Sequence, residues 1–542
     1  MAYSKSMSPS PAKFNPGRRR AWVLALVQVV LLAHILWWYT SGEAIAPLEP
    51  SEGMAFAQRG EVNPGLVLFA LAALATMVFG RFFCGWGCHL LALQDGARWL
   101  MLRLGIRPRP FKARLLRVVP IAAFVYMFLW PFLVRLWLGE PQPGITEFRW
   151  TTHAFWATFP GPVVSTLTLL LGGAGVIYLL GSKAYCSYAC PYGALFGAAD
   201  ALAPGRIRVN DDCQQCAKCT AACSSDVRVH EEVRDFGTVM DAGCMKCLDC
   251  VSVCPNDALS FSFGKPAMFT SARAEGRRSR IGIPSWGEEL ILAGGYALGF
   301  FASYRLYGAV PLLLALALGM VGAWATWTTY QMIRQPAVRF QGQVLKLNRR
   351  WSKGGIAAVL LSLAFFVVAG HSLMVRQHES SRDHHWQQFA GSRNVILMEG
   401  LPEVLPPELL SAARLAAEEA QWLEEHGLFP QALNHYAIAW RALLEEDLEG
   451  FEAGVGKVLE LRPGFGEVLF QVGHYYRALG KDLDALAYWE RVPSRDARFL
   501  DASLARVQML NLMIQPEDAR AILQDLRDRG YEEEQFAGVS VD

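Results

Sequence analysis

Cys213-Gln214-Gln215-Cys216-Ala217-Lys218-Cys219-Thr220-Ala221-Ala222-Cys223 is followed by Cys244-Met245-Lys246-Cys247-Leu248-Asp249-Cys250-Val251-Ser252-Val253-Cys254-Pro255. Each run spaces its cysteines x-x, x-x, x-x-x, the ligand pattern of two-cluster ferredoxins, where a cubane takes three thiolates from one half and its fourth from the other. The spacing assigns Cys213, Cys216, Cys219 and Cys254 to one [4Fe–4S] cluster, and Cys244, Cys247, Cys250 and Cys223 to a second. Pro255 follows the last ligand as the pattern expects; Ser224 stands in the matching place after Cys223 and leaves every ligand present. A zinc site needs four ligands and has no use for this doubled spacing. The flanking Arg206–Val209 and Leu259–Phe263 alternate polar and apolar residues, which predicts two short strands closing the unit. The insert from Asp226 to Gly243 is longer than a minimal ferredoxin requires.

Four further cysteines complete the twelve in the chain. They form two C-x-x-x-C pairs, Cys84/Cys88 and Cys186/Cys190, each at the end of a long apolar stretch. Cys84-Gly-Trp-Gly-Cys88-His89-Leu-Leu-Ala92-Leu93 aligns with Cys186-Ser-Tyr-Ala-Cys190-Pro191-Tyr-Gly-Ala194-Leu195. Basic residues precede the first span (Arg18 to Arg20) and the third (Arg114, Arg117), so the first four spans read as one helical hairpin repeated in parallel. Such a repeat brings the two pairs near each other. They are candidates for a third metal site or for redox thiols; the structural alternative is cysteines packed as small hydrophobes. The c-type haem motif is C-x-x-C-H, which Cys88-His89 does not match.

No cysteine falls before Cys84 or after Cys254, and clustered thiols at ligand spacing point to a reducing compartment rather than to a disulfide framework. The 542 residues are 53% hydrophobic, with mean hydropathy +0.21. Apolar runs near 21–39, 65–83, 118–138, 162–181, 288–304, 309–328 and 354–371 predict seven spans, each long enough to cross a hydrocarbon core of about 30 Å. Ala44-Ile45-Ala46 resembles a signal cleavage site, but the preceding run is long for one and Pro47 would follow the cut. Lys5, Lys13 and Arg18 to Arg20 precede the first span; Arg98, Arg103, Arg107, Arg109, Lys112, Arg114 and Arg117 lie between the second and third. A third basic set, Arg334, Arg339, Lys346, Arg349, Arg350 and Lys353, lies between the sixth and seventh. The positive-inside rule puts these segments in the cytoplasm, and the acidic 40–63 loop outside. All twelve thiols then share the cytoplasmic side, and the C-terminal region is periplasmic.

From about 405 onward the chain reads as amphipathic helices. Two stretches, His426 to Leu459 and Phe470 to Pro493, resemble degenerate tetratricopeptide units, a helix–turn–helix of about 34 residues. Stacked units of this kind form concave surfaces that hold a protein partner. His34 and His371 lie in or at the ends of spans, where paired histidines ligate haem b. Each is read instead as hydrogen-bonded or interfacial, and haem b is disfavoured. His378, His384 and His385 are assigned to an exposed linker.

The two C-x-x-x-C hairpins followed by the doubled ferredoxin run resemble the membrane polyferredoxins of the NapH/NosR/CcoG type, over about 65–265. His89 departs from the proline usual in the family's first motif. The resemblance implies electron delivery from the quinol pool toward periplasmic reductases, or maturation of copper enzymes. The expected fold is mainly α. It comprises a four-span part (1–203), an inserted α+β ferredoxin domain (204–264), three further spans (265–372), a linker (373–404) and a helical repeat domain (405–542). The expected role is an electron-transfer component of a bacterial inner membrane rather than a stand-alone enzyme. Its partners would be the membrane, quinone or quinol, and a periplasmic redox protein or client held by the C-terminal domain, with no nucleic acid. The alternative is an assembly factor whose clusters reduce a metal or a thiol for a metalloenzyme.

Overall fold

The structure, a computed structural model, describes residues 16–531 apart from 112, 153–160, 274–283, 390–392, 394–395, 397–405, 495 and 530. Lys5, Lys13, Lys112 and the end of the expected linker lie outside the described residues. The chain forms two compact units, one of residues 1–305 and 309–369, the other of 306–308 and 370–542.

In the first unit a helix stands at each of the seven apolar runs. Among the described residues five helical stretches are long and apolar enough to cross a membrane: Gly17–Ser41, Leu115–Leu138, Pro162–Leu180, Leu312–Arg334 and Lys353–Gln388. Helix Trp286–Ser303 packs along Leu312–Arg334 as a hairpin. Its Glu289 is fully buried and accepts hydrogen bonds from the Arg114 and Leu115 amides (2.9 and 3.0 Å). A carboxylate there satisfies orphan donors at the start of the Leu115–Leu138 span.

The second apolar run makes a shorter helix, Pro64–Phe79. It stops at Gly80, whose φ is +70°, and a Cβ there would meet Asp200 Oδ1 and Lys246 Cε at 2.5 Å. Only glycine accepts both the left-handed turn and that approach. The chain then makes a five-residue helix, Phe82–Trp86, and starts a new one at His89–Arg103 with Cys88 as N-cap. The same sequence of elements recurs after the Pro162–Leu180 span: Gly181, helix Ala184–Tyr188, Cys190 as N-cap, helix Pro191–Leu202. Each first cysteine sits third in its short helix.

The ferredoxin segment follows. Gly205–Val209 pairs antiparallel with Leu259–Phe263, Ile207 opposite Phe261, and the insert forms helix Val229–Phe236. The basic segment between Leu312–Arg334 and Lys353–Gln388, read as a loop, is a three-stranded antiparallel meander of Val338–Phe340, Gln343–Leu347 and Arg350–Trp351. Gln341 at its first turn donates to the Arg109 carbonyl (3.0 Å) and accepts from the Arg109 amide (2.5 Å), so two of the basic segments meet.

In the second unit the expected linker needs correction. Residues 373–388 belong to helix Lys353–Gln388, and the three histidines lie on it. His378 stacks on Trp422 with ring centroids 3.6 Å apart, and Trp386 and Phe389 are buried against Tyr436 and Trp440. These aromatic residues bury enough surface to hold the stretch in the core. His371 bonds the His426 carbonyl (3.0 Å). Helices Pro407–His426, Ala432–Leu444, Leu448–Leu461, Gly466–Ala478, Asp482–Glu490, Phe499–Leu512 and Pro516–Asp528 follow, most packed on the next in order.

His474 lies edge-on to Phe470 and Trp489 (4.5 and 5.0 Å). Burial, and then the nearby Arg477, push its pKa down from 6.5 to about 4. The unfolded chain takes up this proton first, so the contribution is full above pH 6.5 and is lost as the pH falls toward 4. A thermal-melting series of the second unit should show this slope, and His474→Gln should flatten it.

Candidate metal centres

The two halves of the ferredoxin segment have matching backbones. Gln215, Ala217 and Asp226 in the first half, and Lys246, Leu248 and Asp257 in the second, all have φ between +51° and +65°. Left-handed non-glycine residues cost about 1–2 kcal/mol each. Six of them at equivalent places give the two halves one loop conformation, a kind of turn that makes anion-binding nests in many iron–sulfur sites.

The thiols line the hollows so formed. Cys213, Cys216, Cys219 and Cys254 surround one, and Cys223, Cys244, Cys247 and Cys250 surround the other. The Ala258 amide donates to Cys254 Sγ (3.2 Å). Among the described residues no three His, Cys, Asp or Glu side chains converge closely enough to hold a single ion; the sulfurs stand around a space instead. Burial pushes the Cys223 and Cys247 thiols up to about 12. Thiolates in this setting need positive charge, which iron supplies on ligation. Four sulfur donors around each space fit a cubane cluster.

Cys84, Cys88, Cys186 and Cys190 come together as well. They line one wall of a largely apolar cavity of about 230 Å³, with Tyr185, Tyr192 and Phe196. His34, Glu49 and His89 line it too. His89 Nε2 lies 3.7 Å from Glu49 Oε1. The loop read as outward-facing therefore folds back to the residue that follows Cys88. His34 is held by the Ile45 carbonyl (2.7 Å) and Gln28 donates to the His89 carbonyl (2.9 Å).

The Cys84 turn abuts the second ferredoxin loop. A Cβ on Gly85 would fall 2.0 Å from the Met245 carbonyl oxygen, and Trp86 Nε1 donates to the Lys246 carbonyl (3.0 Å). Asp200 ties the parts together. Its Oδ1 accepts from the Arg81 amide (3.0 Å) and Lys246 Nζ (2.8 Å), and its Oδ2 from Arg206 (3.1 Å). Asp200, Arg206 and Lys246 are at most 1% exposed. Arg20 and Lys183 both pair with Asp95. Sequence reasoning passed over this network. A signal was present: Asp200 is the lone charge in the apolar helix Pro191–Leu202, and an ionisable residue in such a place is a candidate by default.

Fold and thiols together are those of an iron–sulfur protein with helices long and apolar enough to cross a membrane. Comparison with known proteins agrees. A 4Fe-4S binding domain model matches residues 64–108 and 163–210, and a 4Fe-4S dicluster domain model matches 205–255. Over about a third of its length the chain is similar to YccM, to the ferredoxin-type proteins NapH and MauN, and to protein NirI. It is 27% identical to the putative electron transport protein YccM of Escherichia coli over 37% of this chain and 57% of that protein. It is 29% identical to the ferredoxin-type protein NapH of Haemophilus influenzae over 36% of this chain and 68% of that one. Against protein NirI of Paracoccus denitrificans the identity is 28%, over 34% of this chain and 26% of that protein. No solved structure matches the chain.

Asp200→Asn keeps the shape and removes the charge, leaving Arg206 and Lys246 buried without a counter-ion. Breaking one side of a buried pair costs about 3–5 kcal/mol. The variant should lose stability on that scale in a denaturant titration followed by cluster absorbance.

Proposed function

We propose that the chain carries electrons between the quinone pool of a bacterial inner membrane, or a cytoplasmic donor, and a periplasmic redox system. The reading assigns Cys213, Cys216, Cys219 and Cys254 to one [4Fe–4S] cluster, and Cys244, Cys247, Cys250 and Cys223 to the other. When bound, such clusters exchange one electron each at potentials set by their surroundings. The observation that carries the quinone reading is the apolar cavity whose wall holds both the His89–Glu49 pair and the four thiols, next to the second ferredoxin loop. A quinol releases two electrons and two protons on oxidation. His89 and Glu49 are placed to accept the protons, while the apolar walls hold the ring.

The same reading places the ferredoxin segment in the cytoplasm and the C-terminal helical unit in the periplasm. It is supported by the basic segments, two of which meet at Arg109 and Gln341. A third, at Arg20, lies 3.8 Å from Asp249 of the ferredoxin segment. The C-terminal helices, stacked in order as in tetratricopeptide arrays, would hold a redox partner at the membrane and raise its effective concentration.

Anaerobic membranes treated with a quinol analogue should develop the paramagnetic signals of reduced clusters. His89→Leu should slow that reduction by about 100-fold or more, the usual contribution of a general base. Signals that appear only with a strong low-potential reductant would overturn the quinol route. Separately, alkaline phosphatase fused to the C-terminus should be active, since that enzyme matures only after export; an inactive, stable fusion would reverse the assigned sidedness.

A further inference from the structure

In the second unit, helix Pro407–His426 ends at Gly427, and Leu428-Phe429-Pro430 follow before helix Ala432–Leu444 begins. Leu428 is 68% exposed and Phe429 63%, in a loop without a charged residue. Large apolar side chains exposed together, unlike single ones, mark an interaction site. The backbone beneath them is satisfied from within the protein. His371 Nε2 donates to the His426 carbonyl (3.0 Å), and the Gly427 amide donates to the Leu423 carbonyl (2.8 Å). The Leu428 amide donates to the Tyr307 hydroxyl (2.9 Å), whose ring stands edge-on to Phe429 with centroids 5.3 Å apart. Pro430 has no amide proton. A loop that turns its polar groups to the protein and its apolar side chains outward suits a medium without hydrogen-bonding partners.

The two residues that hold the loop also fix its level. Along helix Lys353–Gln388 the exposed apolar residues Val367, Val368, Leu373 and Met374 continue past His371, and the next exposed residues, Gln377 and Ser380, are polar. His371 therefore lies about 5 Å along the axis inside the end of that apolar face. Tyr307 belongs to the turn Leu306–Gly308, which joins the apolar helices Trp286–Ser303 and Leu312–Arg334. Both contacts hold the loop where apolar helices end. We propose that Leu428 and Phe429 insert into the lipid interface, with Tyr307 beside them as the amphipathic aromatic at headgroup level. The occupant is the acyl region of the bilayer: the loop offers apolar surface and no charge, and its surface continues that of a membrane-crossing helix. The insertion gives the second unit a hold on the membrane besides the helix that carries it. With two holds the helical stack cannot turn about that helix, so a partner bound to it meets the membrane in one orientation. This requires only that the apolar helices cross a membrane, and it is independent of the route the electrons take.

The test is photocrosslinking in native membranes containing the full-length protein. The photoreactive residue p-benzoylphenylalanine takes the place of Phe429 in one variant and of Leu428 in a second, so that neither result hangs on one substitution. A third variant carries it in place of Ile514, which is 87% exposed in the turn between the last two described helices of the same unit. After illumination and digestion, the peptide containing residue 428 or 429 should gain the mass of a phospholipid, and the peptide containing residue 514 should not. Capture of a second protein at 428 and 429 in place of lipid would overturn the proposal. So would the absence of a lipid adduct at both positions, or equal lipid capture at 514.

Discussion

One buried carboxylate holds the redox part of this molecule in register. Asp200 sits on the helix after the second thiol pair, and its two oxygens take the Arg81 amide from the first hairpin, Lys246 from the second ferredoxin loop and Arg206 from the ferredoxin strand. A charge in that place is tolerable only when fully paired. Each of its partners belongs to a different piece of the redox centre, so satisfying Asp200 forces those pieces together. The short Pro64–Phe79 helix follows from this, because the chain must turn at Gly80 where Asp200 and Lys246 fill the space.

Duplication appears at two levels. Both hairpins run helix, glycine, five-residue helix, cysteine N-cap, helix. Both ferredoxin halves place left-handed residues at the same offsets from their cysteines. In each case the two copies face each other, and the thiols of both copies line a shared space. The cysteines around each space come from both copies, so neither copy forms it alone. The apolar cavity beside the hairpins is lined by the Pro47–Pro50 stretch folding back, which brings Glu49 to His89.

Much of this was legible in the sequence. The ferredoxin spacing, the two C-x-x-x-C pairs, the strands at Arg206–Val209 and Leu259–Phe263 and a helix at each apolar run are local patterns, and local patterns survive in the order of residues. The meander at Val338–Trp351 was missed because its short strands carry basic residues that read as a loop. The helix through residues 373–388 was missed because its polar residues end the apolar run without ending the helix; Trp386 and Phe389, buried against Tyr436 and Trp440, hold it.

The sequence by itself determined where the cysteines and the apolar helices stand. Cysteines spaced three or four apart wrap a loop or cap a helix whatever surrounds them, and long apolar runs seek a membrane. Only the tertiary structure decided what those residues face. Arg81 and Asp200 are 119 positions apart, and Arg81 and Ala242 are 161 apart. No period or motif encodes pairings at that range; they arise because a buried charge must find its partners wherever the packed chain brings them.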